Sequence, residues 1–383
     1  MMDIKTQLSQ LRLDCSRGYW KNAIEAVDSQ DVLAELQNPP GRYSIHRLVR
    51  LLSPAAQDFL EPMAQQAQAL TCQRFGKTIA LFEPLYVSNV CVNSCVYCGF
   101  NRASDLPRTQ LTVEQAMADA RAIAEQGFRD ILLVSGEDPK FASVEYFCQL
   151  ARLLRPHFSS ISVEIYPMSQ PQYQQLLDAG IDGVTVFQET YDRQVYERYH
   201  PAGPKRDFDW RLECPDRFAS AGMRRIGLGV LLGLADWRLE TLAMAEHAAY
   251  LMKRYWRSSV SFSFPRMRPA VNVMDQWPHL INDTDLVQMM LALRLCFANA
   301  GMVLSTRERP QLRDRLIHLC VTRMSAGART NPGGYTRDDR DGSQFEVADT
   351  RSPSEIAAMI RRAGYEAVWK DWDAAFCETG GRK

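Results

Sequence analysis

From about residue 79 to about residue 324 the chain alternates short apolar runs with amphipathic helical stretches. Strand-like runs fall at 79–87, 131–135, 161–166, 183–188, 226–232, 260–264, 302–305 and roughly 319–324. Helical patterns fill the gaps near 112–126, 143–155, 170–179, 209–221 and 284–300, and Leu242, Ala245, Ala249, Met252 and Trp256 recur with a period of about 3.6 residues. Parallel strands need long crossover connections, and helices usually supply them, so this order predicts parallel strands with helices packed outside. Eight such units predict an α/β fold, a closed (β/α)8 barrel of the TIM type rather than an open sheet. The eighth strand is the least regular, because Arg323 interrupts it.

The barrel does not use the whole chain. Residues 1–75 read as an N-terminal helical extension, with Leu48, Leu51, Leu52 and Ala55 at helical spacing and the pattern continuing from Leu60 to Leu70. Residues 76–326 read as the barrel. Residues 327–383 read as a C-terminal extension packing on it: a turn at Asn331-Pro332-Gly333-Gly334-Tyr335, a charged stretch, a helix at Ser354–Ala363 and the aromatic tail Val368-Trp369-Lys370-Asp371-Trp372. At 383 residues the chain exceeds the ~250–300 residues of a typical single core, but a barrel with extensions accommodates it. Its 45 basic and 45 acidic residues cancel, which predicts no global attraction to nucleic acid or to a membrane surface. No apolar run approaches the ~20 residues of a membrane span, and Met1-Met2-Asp3-Ile4-Lys5 lacks the start of a signal peptide. Ten irregularly spaced cysteines do not form a disulfide framework in a chain this long, so the expected compartment is a reducing cytoplasm.

Three of those cysteines carry the chemistry. Cys91, Cys95 and Cys98 lie in Cys91-Val92-Asn93-Ser94-Cys95-Val96-Tyr97-Cys98, directly after the first strand and so at the C-terminal mouth of the barrel, where reactive groups gather. Thiolates are soft donors, and three within eight residues point to a metal or a cluster. A closed zinc site takes four ligands, and the nearest further candidates, Cys72, Cys148 and the six histidines, are distant in sequence. Three cysteines on a cubane iron–sulfur cluster leave one iron bare for a reactant. The alternative is a non-catalytic, zinc-stabilised scaffold.

The Cys-x-x-x-Cys-x-x-Cys spacing, with Tyr97 before the third cysteine, resembles the signature of radical S-adenosylmethionine (SAM) enzymes. The resemblance implies a [4Fe-4S] cluster on Cys91, Cys95 and Cys98. It also implies SAM chelating the bare iron, and reductive cleavage of SAM to a 5′-deoxyadenosyl radical. Tyr97 is then placed to cover adenine. Ser135-Gly136-Glu137, at the end of the second strand, resembles the Gly-Gly-Glu element that binds SAM's amino group, with Ser135 in place of the first glycine. By itself such a tripeptide is a turn. Glu164 and Glu189 are carboxylates in apolar runs, costly to bury unless paired or bound. Glu189 resembles the acidic residue that holds the ribose hydroxyls in biotin synthase and its relatives, and Arg211 resembles the arginine that pairs with SAM's carboxylate there. Either residue fits a plain ion pair as well. Arg266, Arg268, Ser305 and Arg307 follow late strands and are substrate-side candidates, since arginine grips a carboxylate with two parallel hydrogen bonds.

The motifs Gln188-Glu189-Thr190-Tyr191, Ser263-Phe264-Pro265-Arg266, Ser305-Thr306-Arg307-Glu308, Pro332-Gly333-Gly334-Tyr335 and Val368-Trp369-Lys370-Asp371-Trp372 narrow the likeness. Together they resemble the 2-iminoacetate synthases, the tyrosine lyases of thiamine biosynthesis, over essentially the whole chain. That resemblance implies cleavage of the Cα–Cβ bond of L-tyrosine to 2-iminoacetate and p-cresol. It further implies a thiazole synthase as partner and a flavodoxin- or ferredoxin-type electron donor. Hydrogenase-maturing tyrosine lyases carry extra C-terminal cysteines for a second cluster, whereas only Cys320 and Cys377 lie beyond residue 300 here. Asp192 stands where many tyrosine lyases have histidine, which keeps a lyase of tryptophan as the alternative.

Overall fold

The computed structural model describes residues 2–270, 273, 276–337 and 342–373. Cys377 lies outside the described residues. Eight parallel strands close into a barrel: β1 (Thr78–Ser88), β2 (Asp130–Ser135), β3 (Ser160–Glu164), β4 (Gly183–Thr185), β5 (Arg225–Gly229), β6 (Ser259–Ser263), β7 (Gly301–Leu304) and β8 (Arg323–Ser325). Closure is direct, since β1 pairs with β2 on one side and with β8 on the other. Each strand of β1–β7 lies within two residues of the sequence expectation at its start, and the expected helices at 112–126, 143–155, 170–179 and 284–300 form as single helices.

The eighth strand is a correction. The apolar run 319–324 is not the strand; β8 begins at Arg323. The arginine does not interrupt it, because the guanidinium runs across the barrel floor to Asp130 Oδ1 at 2.6 Å and lies over the Phe82 ring at 4.3 Å. Two helices, Arg193–Tyr199 and Pro310–Leu316, were not anticipated. The tail is a second surprise. Glu366–Val368 forms β9, which pairs in parallel with the start of β1, Thr78 opposite Glu366 and Ala80 opposite Val368.

The N-terminal helices form an outer layer on the flank of the barrel. Arg238 Nε donates to Leu52 O at 2.7 Å, Gln288 Nε2 donates to Leu51 O at 3.0 Å and Ser53 O at 2.8 Å, and Tyr43 Oη donates to Glu246 at 2.6 Å. The helices Trp237–Arg254 and Asp283–Cys296 therefore have cover on both faces, which explains why apolar residues run around most of their circumference.

The floor of the barrel, at the strands' N-terminal ends, is charged and closed. Arg225 binds the buried Asp130 through two nitrogens at 2.7 and 3.1 Å, and Arg323 binds it from the other side. Burial pushes the Asp130 carboxyl up, but Arg225 and Arg323 outweigh it and hold it below the usual range. Arg224 pairs with Asp182 beside them, and the ring of Trp372 covers Arg224 at 3.9 Å. Trp369 packs edge-on to Phe128 at 5.1 Å. The aromatic tail thus seals the end of the barrel opposite the cysteines.

Glu83 on β1 is buried, and burial pushes its carboxyl well above the usual range. Tyr335 Oη lies 2.5 Å from Glu83 Oε1 and 2.7 Å from Pro84 O. A single hydroxyl proton cannot serve two acceptors, so a protonated Glu83 that donates to Tyr335 satisfies all three groups. This contact anchors the Pro332-Gly333-Gly334-Tyr335 turn to the first strand.

Asp130→Asn should lower stability by about 3–5 kcal/mol, since it leaves two buried guanidiniums without their counter-charge. Because the folded carboxyl titrates below its unfolded value, this stabilisation is present above the ordinary aspartate pKa and lost as pH falls through the folded one. Urea unfolding at neutral and acid pH checks both: the gap between variant and wild type narrows at low pH, and an equal gap at all pH values contradicts the assignment.

Candidate active site

The cysteine loop hangs from the C-terminal end of β1 and is tied before any ligand binds. Asn89 closes it, donating from Nδ2 to Pro107 O at 2.8 Å and accepting from Thr109 N at 2.6 Å. Arg108 reaches in to Asn89 O at 2.8 Å and Phe100 O at 2.9 Å. Asn93, inside the cysteine run, is the hub. Its amide nitrogen donates to Glu137 Oε2 at 2.6 Å and lies 3.7 Å from Cys91 Sγ, while its oxygen accepts from Lys205 N at 2.8 Å. A second amide, Gln344 from the C-terminal extension, approaches Cys98 Sγ at 3.6 Å.

Gly136 stands where two backbones meet. A Cβ there would sit 2.3 Å from Val90 O and 3.1 Å from Cys91 Cβ. The glycine admits the backbone of the cysteine loop, and Glu137 then fixes Asn93. Ser135 Oγ is buried with no hydrogen-bond partner among the described residues. The Ser135-Gly136-Glu137 element therefore builds the sulfur loop whatever else it binds.

Beyond the loop, Glu189 sits in a left-handed backbone conformation, φ 71°, which costs a non-glycine residue about 1–3 kcal/mol. It is held there by Leu231 N donating to its carbonyl at 2.8 Å and by Glu240, which accepts from Thr190 Oγ1 at 3.0 Å and Tyr191 N at 2.7 Å. The carboxylate meets Lys205 Nζ at 2.6 Å and Arg211 at 3.6 Å. Burial pushes Glu189 up, but Lys205 and Arg211 more than offset this and hold it below the usual range. Arg211 also donates to Phe187 O at 2.6 Å. Glu189 and Arg211, expected together on the cofactor side, are brought together; Lys205, beside them and 5.5 Å from the Tyr97 ring, carried no signal in the sequence. Tyr97 Oη lies 2.7 Å from His200 Nε2. His200 Nδ1 faces Tyr196 O at 2.7 Å and must donate to it, so Nε2 accepts from Tyr97 and the ring is neutral. Burial, with Lys205 adding to it, pushes His200 down to about 3.

A cavity inside the barrel is lined by Tyr86, Glu164, Phe187, Ser305, Arg307 and Phe345 among others, and its wall residues Tyr86 and Val134 pack with Phe100 against Cys91 and Cys98. Gly227 and Gly229 of β5 make room for it, since a Cβ on either would meet Thr185 or Phe187 at 2.2 and 2.6 Å. Arg307 lies over the Phe345 ring at 3.4 Å and makes no ion pair among the described residues. Glu164, expected on the cofactor side, lines this cavity instead, and burial pushes its carboxyl up to about 7. Arg266 is a correction. Its guanidinium is committed to Glu308 and to Asp283, at 2.9 Å from the latter, and it does not line the cavity. Arg268 also lies outside the lining, its Nε buried without a partner among the described residues. Asp192 caps the helix Arg193–Tyr199, accepting from Gln194 N at 3.0 Å and Val195 N at 3.1 Å, and is not among the residues that line the cavity.

These residues fit an iron–sulfur cluster. The three thiols are free and share one loop at one mouth. Burial pushes Cys95 up to about 12 and raises Cys98, so bare thiols stay protonated there and a cationic metal group is what draws them into thiolate form. Among the described residues no three histidine, cysteine or acidic side chains converge on a single-ion geometry. A cubane does not ask for that, since each thiolate binds a different iron.

Comparison with known proteins agrees with the geometry. The Radical SAM superfamily model matches residues 85–245, and the Biotin and Thiamin Synthesis associated domain matches residues 263–366. The chain is 44% identical over 328 residues to the 2-iminoacetate synthase of Salmonella typhimurium, covering 85% of this chain and 87% of that protein. The chain belongs to the 2-iminoacetate synthase family. The Escherichia coli member is 43% identical over the same shares. Among solved structures, HydG, a maturase of the [FeFe]-hydrogenase, superposes with a TM-score of 0.88 at 31% identity, covering 96% of this chain and 84% of that one. As in other radical SAM enzymes, a [4Fe-4S] cluster and SAM are the cofactors of this 2-iminoacetate synthase family member. Cys320, one of the two late cysteines, is fully buried in the core.

Gly136→Ala should leave the barrel folded but displace the cysteine loop. The added methyl should cost about 1–3 kcal/mol, and iron bound after anaerobic reconstitution should fall below half the wild-type value. Full iron loading would show that the loop tolerates the clash.

Proposed function

We infer that this chain is a radical SAM carbon–carbon lyase that splits the Cα–Cβ bond of L-tyrosine to 2-iminoacetate and p-cresol, supplying the thiazole of thiamine. The observation that carries this reading is the shared wall. In a chain of this family, Tyr86 and Val134 pack against Cys91 and Cys98 and also line an aromatic cavity whose Arg307 guanidinium makes no ion pair among the described residues. When bound, the cluster and SAM supply the carbon radical that abstracts hydrogen. The chain's residues do the rest. Arg307, with Ser305 beside it, binds the substrate carboxylate through parallel hydrogen bonds. Phe187, Tyr86 and Phe345 enclose the phenol ring and keep water from the radical steps. Glu164, whose proton exchanges near neutrality, accepts a proton from the substrate ammonium and frees the amine for hydrogen abstraction. Glu137, Glu189, Arg211 and Lys205 would hold SAM, Glu189 through the ribose hydroxyls and Arg211 through the carboxylate.

A thiazole synthase takes up the unstable imine, and a flavodoxin- or ferredoxin-type protein delivers the electron. The nine described cysteines are all free, which suits a reducing cytoplasm, and no described helix is long and apolar enough to cross a membrane.

Anaerobic turnover with SAM, dithionite and each aromatic amino acid, with products identified by mass, tests the reading. p-Cresol from tyrosine is expected; indole products from tryptophan overturn the substrate assignment. Cys95→Ala should abolish 5′-deoxyadenosine formation without unfolding the chain. Arg307→Ala should lower kcat/KM for tyrosine about 10–100-fold with SAM affinity kept, the loss of a charged hydrogen bond. Glu164 acts as base only when ionised, so kcat/KM should fall as pH drops below about 7, and Glu164→Gln should remove that limb of the profile.

A further inference from the structure

The C-terminal extension returns to the cluster loop at residues 342–344, where a Cβ on Gly342 would stand 2.7 Å from Asn89 Nδ2. Gln344 N donates to Thr330 O at 3.0 Å. Its carbonyl lies where Gly99 leaves space, since a Cβ on that residue would stand 2.6 Å from it. The next residue, Phe345, is held under the Arg307 guanidinium. The backbone of this segment is therefore fixed on both sides of the Gln344 side chain. Both ends of the side chain are also used. Oε1 accepts from Tyr86 Oη at 2.9 Å, and Nε2 faces Cys98 Sγ at 3.6 Å. A thiolate only accepts hydrogen bonds, so the nitrogen belongs on the sulfur and the oxygen on the phenol. Cys98 is half-buried, so water competes weakly for its sulfur.

We propose that Gln344 is a positioning residue for the cluster, whose amide donates to the Cys98 thiolate and so raises the cluster's reduction potential. The proposal rests on the reading of Cys91, Cys95 and Cys98 as cluster ligands. Reduction adds negative charge that is shared with the sulfurs, so a donor at a ligating sulfur stabilises the reduced form more than the oxidised one. Asn93 plays the same part at Cys91, but it is built into the sulfur loop and pinned by Glu137. Gln344 comes from a separate segment, some two hundred and fifty residues along the chain, and its other end touches a cavity-lining tyrosine. It is the point at which the C-terminal extension acts on the electron-accepting centre.

The test is a redox titration, followed by electron paramagnetic resonance, of the anaerobically reconstituted full-length protein without SAM. Wild type, Gln344→Leu and Gln344→Glu are compared, each after measurement of its iron content and melting temperature. About four iron per chain in the wild type checks the cluster reading by itself, and its absence sinks that reading separately from this one. Gln344→Leu should shift the reduction equilibrium about tenfold toward the oxidised form, which for one electron is about 59 mV more negative. Gln344→Glu, which turns a carboxylate oxygen to the sulfur, should lie lower still. A loaded Gln344→Leu protein with the wild-type potential overturns the proposal. So do folded variants that load no cluster, because they assign Gln344 to retaining the cluster rather than tuning it. Should Gln344→Leu not fold, Gln344→Glu decides by the same criterion.

Discussion

The site depends on one close approach. The backbone at Val90 and Cys91 lies against Gly136 with no room for a side chain between them. That contact joins the loop after β1 to the end of β2, and Glu137 follows at once to take hold of Asn93. The loop that carries the three sulfurs is thus placed by backbone packing and one amide. This matters because a cluster with only three protein ligands gains less from the metal itself than a closed site does, so the scaffold must hold the donors in position. The strands supply the rigidity on which that arrangement rests.

Much of the architecture was legible because it rests on local periodicity. Apolar runs on β1 to β7 announce strands, and the cysteine spacing announces itself. What escaped the sequence is what long-range pairing decides. Arg323 reads as a break in a strand until Asp130, two strands away across β1 but almost two hundred residues away in sequence, is placed beside it. Arg266 reads as a free substrate ligand until Glu308 and Asp283 occupy it. Lys205 sits in an unremarkable Gly-Pro-Lys loop, and only the fold brings it to Glu189. Gln344 and Phe345 lie in a charged stretch with no period, and Tyr86 was one more apolar residue in a strand.

The motifs that resembled a family proved to have mixed duties. In Gln188-Glu189-Thr190-Tyr191, Glu189 faces the charged cluster, whereas Thr190 and Tyr191 lock it in place through Glu240. In Ser305-Thr306-Arg307-Glu308, Ser305 and Arg307 line the cavity, whereas Glu308 clamps Arg266. Residues that face the cavity or the buried charges and residues that hold them in place alternate along the same few positions. A strained backbone at Glu189 is tolerated because its neighbours are so firmly fixed.

The charged floor has a consequence for traffic. Asp130, Arg225 and Arg323 bar the lower end, and Trp372 covers Arg224 beside them. A phenolic fragment formed above such a floor meets ion pairs on that side, and Phe345 of the C-terminal extension lines its chamber. The ring that faces the aromatic fragment and the amide that leans on the sulfur centre therefore belong to adjacent residues of one short stretch of chain.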